Sequence, residues 1–558
     1  MIDASRQFWR QTFFVLLVLL GMSIPLSRFA MSSFQFLLLF AWLLDGLSLS
    51  VLSRFFRKCN PFEAIYQTIK YLLNLIASNI VDKTALFWQN KTALVIASIF
   101  ALHLIGLIHT SDFEYAIKDL RAKIPLLILP LMLASMPRLS LKQIHILLVF
   151  YVLAVFGGTI ISLNEYLKQD FEDIRQISVY ISPVRFSLNI AFAFFILIYF
   201  IKTKSSLKLW HRLALLLPII WFIVFLVILE SAIGILSIFI IGLGLFFYKM
   251  LTGASIQVRI LMGILLILLP ITAYWYINQQ ITTMVKPPDL DFTKLETHTK
   301  SGNKYLHDTI NFGVEDGKYI GIYMATDEMA AAWNKRSHYQ FLGRDEANQL
   351  IQYTLIRYLT SKNLHKDAEG VNALSEKDIK LIEKGIANIH YVESPSLKTR
   401  ISKILLGYQR YSEIKDPNGS SVMQRVEHWK ASVLIIKENF WFGVGTGDLP
   451  AVFKQTYEQI NSPLKEQWRW RSHNQYLSIC IAFGIFGALW FLFALFYPIF
   501  INQHYRNYLF AVFLFLMILS MLTEDTIETQ DGVTLFTYFT ALFALSYPPE
   551  CPMKDEKQ

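Results

Sequence analysis

Three cationic side chains, Arg185, Arg425 and His473, each stand where an apolar or amphipathic run begins. A guanidinium fork matches phosphate oxygens, and an imidazole that titrates near neutrality suits proton abstraction. Together they offer phosphate binding and general-base work. Arg185 lies in SPVRFSLNIAFAFF, just after Pro183. It has two readings: a side chain snorkelling to lipid headgroups, or an anion clamp at the membrane surface where a lipid pyrophosphate would sit. Arg425 opens RVEHWKASVLIIKENFWFGVGTGDLPAVF, in which Arg425, Trp429 and Ser432 recur at helical spacing and Gly443, Gly445 and Gly447 follow an aromatic pair. GxGxG without a dinucleotide-binding context is a weak signal and fits a plain turn. Glycines beside aromatics next to a membrane also suggest a packed re-entrant segment. Before His473, Arg469 and Arg471 alternate with Trp468, Trp470 and Ser472. Trp and Arg can simply bind headgroups here. The sharper expectation is a His473 base kept neutral by nearby cations, with Arg469, Arg471, Asn474 and Trp429 as substrate contacts.

These residues need elements to position them. Of the 558 residues, 54% are hydrophobic and 17% charged, against about 25% charged in soluble domains. The mean hydropathy of +0.40 is nevertheless low for a chain that is all membrane. The expectation is an all-α polytopic membrane protein diluted by one large polar part. Apolar stretches of about 20 residues mark about twelve transmembrane helices: 9–26, 33–51, 91–109, 122–137, 142–164, 185–201, 210–229, 231–249, 258–277, 474–499, 506–522 and 532–547. Lys and Arg concentrate in alternate connections, which orients both termini inward. SDFEYAIKD and TEDTIETQD then lie outside, and so do Arg185, Arg425 and His473.

The long outer stretch before the tenth span exceeds ordinary loops and predicts a folded module. DEANQLIQYTLIRYL and SEKDIKLIEKGIANI predict helices, the second capped by Ser375, and GKYIGIYMA predicts a short β element. The chain thus divides into a membrane domain over 1–277 with spans one to nine, an outer, mostly helical module over 278–473, and a membrane domain over 474–558 with spans ten to twelve and a short inner tail. Residues 52–90 form a long inner segment, read either as an interfacial helix or as a packed or re-entrant one.

Several function classes drop out. The net charge of +10 reads as membrane orientation rather than nucleic-acid binding. The three cysteines, Cys59, Cys480 and Cys551, form no metal-binding pattern. Asp289 and Asp291 make a DxD, but on the side where nucleotide sugars are not expected. Glu524, Asp525 and Glu528 suit structural partners of the arginines. IPLSRFAMSS carries no carboxylate, against membrane glycosyltransferases that use an Asp in that loop. A flippase or transporter would show internal repeats and intramembrane charges. The sequence shows no repeat, and only His103 and Glu230 as mid-span ionisable residues, His103 being expected in an interhelical hydrogen bond.

The pairing of RVEHWKASVLIIKENFWFGVGTGD with SHNQYLSICIAFGIFG resembles the signature of the O-antigen ligase and O-antigen polymerase superfamily. There an Arg-initiated helix precedes a GxG turn, and His-Asn later opens a helix with Gly-x-x-Gly; here these are Arg425, Gly443, Gly445, His473, Asn474, Gly484 and Gly487. SPVRFSLNIAF is similar to the family's upstream arginine segment. The chain reads Ser231-Ala232-Ile233 where the family often has Ser-Arg-Gly, so that arginine is absent. The resemblance implies a C-type, metal-independent glycosyltransferase of the bacterial inner membrane with no cofactor, the large loop and site periplasmic and the termini cytoplasmic. Its donor would be a glycan on undecaprenyl pyrophosphate, and its acceptor lipid A–core or a growing glycan. Arg425, Arg185 and His473 would be catalytic. Ligation is favoured over polymerisation by the single large outer module before the tenth span.

Overall fold

The structure is a computed structural model and describes residues 2–58, 60–168, 174–203, 208–253, 255–285, 289–390 and 397–547. Cys59, Cys551 and the tail from residue 548 lie outside the described residues. Helices dominate. Seven described helices are long and apolar enough to cross a membrane: Lys91–His109, Leu141–Lys168, Pro183–Thr203, Leu209–Ile228, Ala232–Met250, Ile256–Gln279 and Gln475–Phe500. Arg28–Leu43 and Tyr508–Met521 are shorter apolar helices. The remaining expected spans fall on Ile2–Ser23, Pro125–Ser135 and Gln530–Ala541. Starts follow local chemistry. Asn90, Asp112 and Asn507 accept a backbone N–H from their own first turn, and Pro125 sits where no N–H is needed.

The helix Pro183–Thr203, which begins with Arg185, is the buried axis of the bundle. Phe192 packs edge-on against Phe513 and Phe539, and Tyr151 donates to Asn189 at 2.7 Å. Because that helix is enclosed, Arg185 is held at a fixed place rather than free to reach headgroups.

The helix Gln475–Phe500 is broken at Gly484, whose φ of 64° is non-helical. In a membrane helix a break leaves backbone groups that need partners. The turn after Trp441 supplies them: Val444 N donates to Ile481 O at 2.9 Å, Gly445 N to Ala482 O at 2.9 Å, and Ile485 N to Phe440 O at 2.8 Å. Gly443 and Gly445, at φ 72° and 91°, allow that close approach. The glycine-rich stretch is therefore a docked turn inserted into a helix break. Thr446 anchors its far side, donating from Oγ1 to His103 O at 2.7 Å. His103 itself does not bridge helices through its ring as expected: Nδ1 contacts Ile99 O of its own helix at 2.8 Å, and the ring packs on Phe483.

A Cβ on Gly484 would lie 2.2 Å from the Trp441 carbonyl oxygen, a backbone atom that cannot swing away. Gly484→Ala is expected to destabilise by more than about 2 kcal/mol from strain and overpacking, while Gly157→Ala, with open space around it, stays within experimental error. Thermal unfolding of the detergent-purified protein checks both.

A second hydrophobic core, built from Trp333, Leu355, Tyr358, Leu359 and Ile382 among others, lies apart from the main one. It holds the helices Thr326–Arg336, Ile351–Ser361 and Glu376–Glu383 and sits beside a hairpin pairing Val314 with Tyr319 and Glu315 with Lys318. Ser375 and Asp378 form a reciprocal capping box, as the sequence pattern suggests. Ala431, Ile435, Leu449, Phe453 and Tyr457 belong instead to the main core, so the helix carrying Arg425 is packed onto the bundle. In the stretch 52–90, the helix Pro61–Gln89 docks through Lys83, whose Nζ donates to Trp42 O at 2.6 Å, and leaves Phe62, Leu73 and Val81 exposed.

Candidate functional site

The short loop between Tyr508–Met521 and Gln530–Ala541 carries three buried carboxylates, Glu524, Asp525 and Glu528. Burying a carboxylate without partners is costly, and the cations named above supply the partners. Glu524 receives two guanidiniums. Arg425 Nη2 lies 2.6 Å from Oε1, and Arg185 Nη1 lies 3.3 Å from Oε2. Both arginines also reach the loop backbone: Arg185 Nη2 donates to Asp525 O at 2.7 Å and Arg425 Nε to Thr523 O at 3.2 Å. Glu524 is thus shared by two guanidiniums. Arg185 Nε is a buried donor with no hydrogen-bond partner among the described residues.

His473 joins the same carboxylate, its Nδ1 3.6 Å from Glu524 Oε2. Besides the cations expected around this imidazole, an acid faces it, because the loop between Tyr508–Met521 and Gln530–Ala541 returns to the start of Gln475–Phe500. His473 has φ 48°, a left-handed conformation that a non-glycine residue holds only under constraint. Asp525 supplies that constraint. Its Oδ2 accepts from His473 N at 3.1 Å and its Oδ1 from Asn474 N at 3.1 Å and from the Ser478 hydroxyl at 2.7 Å. A carboxylate at a helix N-terminus also meets the unpaired N–H groups and the positive end of the dipole.

The expected substrate contacts have different surroundings. Asn474 is the N-cap: its carbonyl oxygen accepts from Leu477 N at 3.1 Å and its amide donates to Leu522 O at 2.9 Å. Both ends of its side chain are committed to the protein. Trp429 donates its indole N–H to Ser472 O at 3.0 Å and keeps a partly exposed ring. Arg469 Nε donates to Leu464 O at 3.1 Å. Arg471 is drawn into a separate network. It pairs with Glu528 at 2.9 Å and stacks over Tyr115, and Glu528 in turn meets Lys123 at 2.6 Å, itself paired with Asp119 at 2.5 Å. Two cations and two carboxylates cancel there, so Arg471 braces the segment leading to His473. Asp291 of the DxD caps a short turn through Thr293 and pairs with Lys294 at 3.0 Å.

Sequence reasoning passed over His428. One turn on from Arg425, it lies on the same helix face and stacks on His473 with ring centroids 5.3 Å apart. Its Nε2 is 3.0 Å from Trp468 O, and its Nδ1 is a buried atom without a partner among the described residues. Burial pushes the His428 pKa down to about 4, with the His473 and Arg425 charges adding to the effect. His428 is therefore neutral at pH 7, a flat wall beside His473. The spacing RVEH was the available signal.

Beside the ion pair opens a cavity of about 290 Å³. Leu229, Ile233, Leu236, Ile240, Leu519 and Leu522 line it, together with the charged Glu230, Arg425 and Glu524. Burial pushes the Glu524 carboxyl up, but His473 and the Arg185 and Arg425 charges outweigh that and hold it at about 2. A carboxyl depressed from its ordinary value near 4.5 contributes stability that is complete above pH ~5 and is lost as pH falls toward 2, on the order of 3 kcal/mol. Acid titration of the folded protein should show that loss, and Glu524→Gln should flatten it. An unchanged acid limb in the variant would contradict the pairing.

No curated protein matches this chain. Residues 385–492, which contain Arg425, the docked glycine turn and His473, match the family model described as O-antigen ligase, and the resemblance read from these motifs is borne out there.

Proposed function

We propose that this chain is an inverting, metal-independent glycan transferase that moves a polysaccharide from undecaprenyl pyrophosphate to an acceptor hydroxyl, joining O-antigen to lipid A–core at the periplasmic face of the inner membrane. In this reading twelve spans cross that membrane with both termini cytoplasmic, and residues 278–473 stand outside between the two membrane domains, 1–277 and 474–558. One observation carries the reading: Arg185, Arg425 and His473, from three separate segments, converge on Glu524, which lines a largely apolar cavity. An isoprenoid pyrophosphate has that polarity. Its chain fits the leucine and isoleucine wall and its phosphates meet the guanidiniums.

The acceptor oxygen attacks the anomeric carbon, the bond from that carbon to the bridging oxygen breaks, and the pyrophosphate leaves with the electron pair. Arg425 and Arg185 stabilise the charge growing on it. Glu524 beside Nδ1 favours the tautomer protonated there and leaves Nε2 to accept the acceptor's proton. The same geometry gives His473 a second role, as a further pyrophosphate contact. Arg469 and the partly exposed ring of Trp429 serve in this reading as sugar or phosphate contacts.

Deleting the gene tests the acceptor. Loss of all capped lipopolysaccharide with accumulation of carrier-linked polymer is the expected result. Lipid A–core capped with single repeats would mean polymerisation instead, and an unchanged lipopolysaccharide profile would overturn both.

A further inference from the structure

A second cleft, of about 660 Å³, lies between the small second-core module and the helix Leu397–Ile414. That volume is within the range of ligand pockets. Its walls combine three chemistries. Tyr353, 51% exposed, and Phe312 present tilted rings 6.2 Å apart. Asn311, Asn348 and Gln349 bring side-chain amides, of which Asn311 Nδ2 donates to Asp308 Oδ2 at 2.7 Å and Gln349 Nε2 to Gly385 O at 3.3 Å. Arg344 and Lys465 bring positive charge, and among the described residues neither has a carboxylate partner. Glu315, the acid in the lining, holds Arg357 at 2.7 and 3.0 Å, and Asp416 holds Arg410 at 2.5 Å. Arg344 is steadied by Nη1 donating to Asn348 O at 2.8 Å.

Aromatic faces accept the C–H side of a sugar ring, amides read hydroxyls, and free cations take a carboxylate or phosphate. The cleft also adjoins the segments that carry the candidate site through Lys465. Lys465 N donates to Asn418 Oδ1 at 3.0 Å, just before the helix of Arg425, and Lys465 begins the stretch that ends at His473. That stretch spans at most about 30 Å when extended, a distance a short oligosaccharide can follow.

We propose that this cleft binds an anionic stretch of the glycan, one bearing uronate or phosphate groups, away from its reacting end. The proposal rests on the glycan-transfer reading for its ligand class but is tested without transfer. The full-length protein in detergent is titrated calorimetrically with tetragalacturonate, with maltotetraose and with a short poly-glutamate peptide. Tetragalacturonate is expected to bind best, and the double variant Arg344→Gln/Lys465→Gln to weaken it by roughly tenfold or more. Tyr353→Ala, at an exposed position, should weaken both saccharides. Absence of tetragalacturonate binding, equal binding in the double variant, or poly-glutamate binding as tight as the saccharide would each overturn the proposal. No transfer by the wild-type protein, with cleft binding intact, would instead sink the transferase reading.

Discussion

Arg425→Ala is expected to lower glycan transfer by roughly 100- to 1,000-fold, the range for removing one preorganised donor to developing charge. Arg425 is half-buried and lines the cavity, and among the described residues its Nη2 is bound to Glu524 alone. A pyrophosphate can therefore compete for that guanidinium. Its removal leaves Glu524 still paired with Arg185, so the protein should insert and remain folded. Arg425→Lys keeps the charge but loses the planar fork, and should recover only part of the activity. The checks are lipopolysaccharide ladders in cells and the abundance of membrane-inserted protein. Normal ladders with Arg425→Ala would remove Arg425 from the chemistry.

Glu524→Ala should fail differently. Glu524 is the shared partner of Arg185, Arg425 and His473. Arg185 is only 7% exposed. Removing one member of a buried ion pair costs about 3–5 kcal/mol, because the remaining charge is stranded. The expected result is loss of folded protein, or a large drop in melting temperature, where Arg425→Ala shows neither. Glu524→Gln retains hydrogen-bonding oxygen and should fold better than Glu524→Ala while still impairing transfer, since the amide no longer orients His473 as a carboxylate does. A Glu524→Ala protein that melts like wild type would contradict the ion-pair geometry.

Sequence reading located the helices well because apolar length is a strong local signal. Each run expected as a span overlaps a helix, although 33–51 overruns the helix that ends at Leu43 and crosses the turn before Leu49, and the SEKDIKLIE cap appears where Ser375 and Asp378 demand it. The residues at the centre were legible because Arg185, Arg425 and His473 each mark a run's start. Their partners were not, for a physical reason: Arg185 and Glu524 are 339 positions apart, and no periodicity encodes such a pairing. The acidic loop could be read as complementary charge, but not which oxygen meets which guanidinium. The break at Gly484 was hidden for the same cause. Gly-x-x-Gly inside an apolar run reads as helix packing until the turn at Gly443 is seen to fill the gap. Asn474 shows the opposite error, since an amide beside a candidate base looks like a substrate contact, whereas its position made it a cap.

The most direct test of the central claim is reconstituted transfer by the purified protein. Undecaprenyl-pyrophosphate-linked glycan and lipid A–core are supplied in detergent or nanodiscs without added metal, and the joined product is followed for wild type and His473→Ala. The account predicts wild-type joining with inverted anomeric configuration and no detectable product from His473→Ala. Joining by His473→Ala at the wild-type rate would contradict it.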